Sequence, residues 1–156
     1  MTQLPAGDNS PSGSSPFRWQ DVVVDIPNFK TKVKLFLLKL NGGLFIWIGN
    51  DEGKFSGLSL CVPSHLGDHS SHSSRLYANG QVPINGSLGL NEQGLSRKLS
   101  GRFNCPVFLS LSLPPELEAM WDSVDPCSRK TLSEEVESAL FAHLRGFLDS
   151  CVDGYG

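Results

Sequence analysis

The dipeptide Asn41-Gly42 stands between two apolar runs, Lys32–Leu40 and Leu44–Ile48. Asn and Gly both tolerate positive φ, so this pair between β-rich segments predicts a tight antiparallel hairpin. The first run starts with polar–apolar alternation (Lys32-Val33-Lys34-Leu35) and then becomes almost wholly apolar. Such a strand must bury most of both faces or meet another surface. The second run, Leu44-Phe45-Ile46-Trp47-Ile48, has the same character. Trp47 in it suits either a two-sided core or an interface, and burial statistics favour the core.

A second turn, Gly49–Gly53, leads into Phe55–Val62, where Phe55, Gly57, Ser59 and Cys61 alternate with Ser56, Leu58, Leu60 and Val62. These three strands are expected to form an antiparallel meander. Before them, Val22-Val23-Val24-Asp25-Ile26 reads as a short strand halted by Pro27. Downstream, Val82-Pro83-Ile84-Asn85 reads as a brief edge strand, because Pro83 cannot donate to a ladder. Asn91 is a good N-cap for a helix in which Glu92 lies near the positive dipole end and Leu95, Leu99 and Phe103 form one apolar stripe. Cys105–Leu113 reads as a strand stopped by Pro114-Pro115. Thr131-Leu132-Ser133-Glu134 has the form of a capping box opening an amphipathic helix that carries Val136, Leu140, Leu144, Phe147 and Leu148. Strands, helix, strand, helix give an α+β domain with an antiparallel sheet.

At 156 residues the chain fits one domain. Residues 1–16, rich in Pro, Gly and Ser, cannot bury enough surface to offset their ordering entropy and are expected to be a disordered tail. The domain is expected over 17–151, with a polar, Ser- and His-rich flexible loop inserted at about 64–80. No run approaches the roughly 18 apolar residues of a membrane-spanning helix. The formal charge of −3 argues against a general polyanion binder. No secretory signal opens the sequence and the four cysteines form no CxxC pair, so reduced thiols in an intracellular protein are expected.

Sites for chemistry are few. Cys61, His65, Asp68, His69 and His72 could supply metal ligands, but Ser, Gly and Pro around them oppose the helix that would align His65 with His69. Gly49–Lys54 is one residue short of a phosphate loop, and Phe55 replaces the Ser or Thr that would hold magnesium. No nucleophile elbow is present, and His143 belongs to a helix. Arg97, Lys98 and Arg102 make a small basic patch without the aromatic platform of a nucleic-acid site. The residues point to no enzyme, no cofactor and no metal.

Two segments carry a family resemblance. Leu37–Gly49 resembles the strand, turn and LF(L/I)W(V/I)G strand of the proteasome assembly chaperone 4 family. Pro83 through Ser87-Leu88-Gly89, then Gly94–Leu99, then Pro106–Ser110, resemble that family's P…S…LG, helix and strand segments in the same order. The likeness spans about residues 20–113. It implies a six-stranded antiparallel β-sandwich with two α-helices, acting without catalysis. It also implies a heterodimer with assembly chaperone 3 that binds a 20S proteasome α-subunit and helps order the α-ring. Arg97, Lys98, Arg102 and Trp47 are the candidate partner-binding residues, the three cations steering toward an acidic client. The alternatives are a generic sheet-edge adaptor, or a metal or thiol enzyme built on Cys61, His65, His69 and His72.

Overall fold

The computed structural model describes residues 17–64, 72–78 and 87–152. They form six strands and three α-helices: β1 Arg18–Ile26, β2 Thr31–Leu40, β3 Gly43–Gly49, β4 Gly57–Val62, β5 His72–Ala78, α1 Ser87–Phe103, β6 Val107–Leu111, α2 Pro115–Ala119 and α3 Leu132–Val152. The strands make a single sheet of order β1-β2-β3-β6-β4-β5. This is an α+β fold, with every pair antiparallel except β3–β6.

The hairpin at Asn41-Gly42 forms as its sequence requires, with Leu40 opposite Gly43. Only Gly42 takes positive φ, at 81°, so the left-handed step falls on the residue without a Cβ. The expected meander stops after β3. The β3–β4 connection is long enough for β4 to move aside, and β6 enters between them, parallel to β3. Burial explains this order. Val107, Leu109 and Leu111 are fully buried, and a strand this apolar belongs at the centre of a sheet.

Three further expectations are corrected. Within 64–80, taken as a flexible loop, His72–Ala78 forms edge strand β5 on β4, with a bulge opposite Leu58 and Ser59. Its backbone groups find partners in the ladder although its side chains are mostly polar. The first helix begins at Ser87, ahead of the Asn91 cap. The connection 114–130 contains α2, and Leu117 and Trp121 from this segment enter the core, so it is packed structure and supplies a third helix. The expected tail 1–16 and the strand at 82–85 lie outside the described residues.

α1 and α3 pack on one side of the sheet, and Leu117 of α2 reaches the same core from the sheet's end. Leu95 and Leu99 of α1 and Leu132, Val136, Leu140 and Leu144 of α3 join Val33, Leu35, Leu37, Leu44, Ile46, Ile48, Val107 and Leu109 in one core. The capping box at Thr131 is complete. The Thr131 amide donates to Glu134 Oε2 at 2.8 Å, and the Glu134 amide donates to Thr131 Oγ1 at 3.1 Å. On this face assignment, Leu140→Ala or Leu144→Ala costs about 2–5 kcal/mol. Glu137→Ala, which removes only the partly exposed ion pair with Lys98, costs less than about 1 kcal/mol. Chemical denaturation of the three variants checks this, and equal losses would refute the assigned face.

Candidate docking face

The other side of the sheet carries no helix among the described residues, and it is apolar. Strand register builds one continuous row across it: Trp19 opposite Leu38, Leu38 opposite Phe45, Phe45 opposite Phe108, and Phe108 opposite Leu60. The next row runs Phe36, Trp47, Ser110. At ~4.8 Å per strand the sheet is about 24 Å across. Rings interlock along it. Trp19 stacks on Phe36 with centroids 6.0 Å apart, and Phe36 meets Phe45 edge-on at 6.4 Å.

Both flanks of this face remain open. Trp19 is 63% and Val23 56% exposed on the β1 side; Tyr77 is 47% and Val62 44% exposed on the β4–β5 side. Phe55 lies against Tyr77 with ring centroids 5.7 Å apart. Large exposed side chains scattered singly are ordinary, but a continuous band that spans a sheet marks a contact surface. Trp47 belongs to this face. Its indole lies along β3 over Gly49, where a Cβ would come within 2.2 Å of the ring, and Nε1 donates to the Lys54 carbonyl at 3.1 Å. Glycine at 49 is therefore what lets the indole lie flat.

Behind the sheet, under α1, lies a buried carboxylate. Glu92 has no exposed surface. Its Oε1 accepts from Ser59 Oγ at 2.5 Å, its Oε2 accepts from the Leu111 amide at 2.9 Å, and Arg75 Nε lies 3.8 Å from Oε1. The β4–β6 ladder ends at the Ser59–Leu109 pair, so the Leu111 N–H is satisfied by a side chain in place of a strand. Gly57 faces this point. A Cβ there would sit 3.0 Å from Glu92 Oε2 and 2.9 Å from Arg75 Nη2. Burial pushes the Glu92 carboxyl above the ordinary carboxylate range; the Ser59 and Leu111 hydrogen bonds and the Arg75 charge oppose the shift without cancelling it. Sequence reasoning put Glu92 at the helix start. The available signal was its spacing from Leu95, Leu99 and Phe103, which places it on the apolar stripe.

The candidate partner-binding residues are divided between the two sides. Trp47 lies on the helix-free face. Arg97, Lys98 and Arg102 lie on α1, each engaged within the chain. Arg97 Nε donates to Ser73 Oγ at 2.8 Å, Lys98 pairs with Glu137 at 2.9 Å, and Arg102 lies 5.5 Å from the Phe141 ring centroid. Of the possible metal ligands, Cys61 is buried in the sheet with Ser73 as its β5 register partner, while His72 pairs with Val62. His65, Asp68 and His69 lie outside the described residues. Among the described residues no three His, Cys, Asp or Glu side chains converge as a metal site would require.

No family model and no curated protein matches the chain. Among solved structures it is similar to a chain in the crystal structure of a novel chaperone complex for yeast 20S proteasome assembly. The two share 14% identity, the match covers 89% of this chain and 94% of that chain, and the TM-score is 0.47.

The buried carboxylate yields a pH prediction. Glu92→Ala leaves the Leu111 amide, Ser59 and Arg75 without their partner and costs about 3–5 kcal/mol. Glu92→Gln keeps an acceptor and a donor and costs less. Because the folded-state pKa of Glu92 is raised, its protonation favours the fold. That contribution is full below the unfolded carboxylate pKa and is lost as pH rises through the folded one. Melting temperatures from pH 4 to 8 should therefore show Glu92→Gln gaining on the parent chain as pH rises. A gap that moves the other way would overturn the assignment.

Proposed function

We propose that this chain is a non-enzymatic assembly chaperone for the 20S proteasome core. In this reading it pairs with assembly chaperone 3 into a heterodimer, and the pair binds an α-subunit, helps order the α-ring and leaves before maturation, in the cytoplasm and nucleus. The observation that carries the reading is the helix-free sheet face with its unbroken Trp19–Leu38–Phe45–Phe108–Leu60 row. The helices supply the second layer on one side only, and a continuous apolar row on the other side is the kind of surface that a partner covers. A partner of the same fold would supply a cover, sheet against sheet; within this chain the six strands form one sheet and not the six-stranded sandwich that the resemblance implies. The resemblance over residues 20–113 supplies the client.

The edges favour face-to-face pairing over strand addition. β1 presents Arg18, Asp21 and Asp25, all exposed, and β5 is bulged and carries Arg75. Charges and bulges are the devices by which edge strands resist pairing with another strand. The apolar face has no such protection in its central row. This makes the sheet-edge adaptor the weaker reading, and the burial of Cys61 makes a thiol enzyme weaker still.

The test is co-expression with assembly chaperone 3. A stable 1:1 complex by analytical ultracentrifugation is expected. Trp19→Glu combined with Tyr77→Glu, at two already exposed positions, should abolish the complex while leaving the thermal melt of the chain nearly unchanged. A complex that survives both substitutions would move the interface elsewhere. Native pulldowns that recover neither a related chaperone nor any 20S α-subunit would overturn the proteasome reading.

A further inference from the structure

Beside the docking face, at the end of the sheet where β1 turns into β2, lies a cleft of about 390 Å³. One wall carries Lys30, Lys32 and Lys34; the other is formed by Asn50 and Asp51 of the β3–β4 turn and by Glu116 of α2. Lys34 is paired with Asp51 at 3.0 Å. Lys30 and Lys32 make no ion pair among the described residues, although Asp25 stands in register opposite Lys32. In this they differ from Arg97, Lys98 and Arg102, whose head groups are engaged within the fold. Lys30 is held at φ 51°, its amide donating to the Pro27 carbonyl at 3.1 Å. The residue is the left-handed cap of the single turn Pro27–Phe29.

From this arrangement we infer that the cleft is a binding site for an acidic peptide segment of a protein partner, with Lys30 and Lys32 taking its side-chain carboxylates. The opposite wall selects peptide over a small anion. Glu116 and the Asp51 carboxylate, one oxygen of which holds Lys34 while Asn50 Oδ1 is taken by the Glu52 amide, offer acceptors to backbone N–H donors, which a peptide has and a phosphate lacks. Lys54 lies close enough to Glu116 for the two charges to interact, while its own ammonium is held by Glu52 at 2.6 Å. The cleft volume falls in the range of ligand-sized clefts and accommodates a short extended segment. Val23 and Lys34, opposite each other in register, line this cleft and lie on the apolar face, so the two surfaces adjoin. The inference goes beyond the proposed function and does not depend on it, because an acidic segment of any partner meets the same chemistry.

The experiment uses the full chain and a fluorescein-labelled decapeptide of alternating Asp and Glu, followed by fluorescence anisotropy at low and physiological salt. Saturable, salt-weakened binding is expected. Lys30→Glu combined with Lys32→Glu should weaken it by about tenfold or more, whereas Lys130→Glu with Arg145→Glu, an equal change of net charge outside the cleft, should alter it less than about twofold. Lys30→Ala with Lys32→Ala gives the same comparison if the reversed pair does not fold. Equal weakening by both pairs, or no saturable binding, would overturn the assignment. Displacement of the peptide by inorganic phosphate, beyond the effect of sodium chloride at matched ionic strength, would mean a small-anion site and overturn it as well.

Discussion

The carboxylate of Glu92, sealed between α1 and the sheet, is the interaction on which the arrangement of this molecule depends. An ionisable group without access to water must find its partners inside, and here two hydrogen bonds and one charge come from three strands. Ser59 on β4 and the Leu111 amide on β6 donate directly, and Arg75 on β5 supplies a positive charge 3.8 Å away. Such a cluster adds little net stability compared with apolar packing, but it makes every misplacement expensive. If α1 slid or rotated on the sheet, the buried Leu111 amide and the Ser59 hydroxyl would lose their acceptor and Arg75 its counter-charge together. The helix is thereby fixed over β4, β5 and β6, on the side where α3 covers β1 and β2.

That placement leaves the other face of the sheet without a helix among the described residues. Its central row of Leu38, Phe45, Phe108 and Leu60 is half-buried because neighbouring side chains shield one another, while its flanks at Trp19 and Tyr77 stand open. The graded exposure suits a surface that is stable enough to persist alone and apolar enough to be better covered. Charged β1 and bulged β5 direct association onto the face and away from the edges. A broad apolar face suits a durable pairing, and a lysine-lined cleft beside it suits a salt-sensitive, reversible contact.

Much of the architecture was written in local sequence. Asn41-Gly42 required a two-residue turn, and Thr131-x-x-Glu134 required a helix start at that point, because each depends only on residues within reach of one another along the chain. The apolar stripe of α3 likewise named Leu140 and Leu144 as buried. Strand order was not readable in this way. Whether β4 returns beside β3 or β6 takes the slot depends on which strand is the more deeply buried, and that is a comparison between segments some fifty residues apart in sequence. The strand at His72–Ala78 escaped notice because its pairing rests on backbone groups, which every residue carries, and its side chains hold little β signal.

The candidate site divides along the same line. By itself the sequence determined that β2 and β3 are too apolar to tolerate water on both faces, and so that Trp47 and its neighbours must meet a core or a partner. Only the tertiary structure decided that the helices crowd onto one face, leaving Trp47 on the uncovered side and engaging Arg97, Lys98 and Arg102 within the fold. The reason is physical: a side chain's exposure and a charge's pairing depend on what lies across space. Local sequence specifies turns, caps and periodicities, while packing determines which apolar surface and which cations are left over for another molecule.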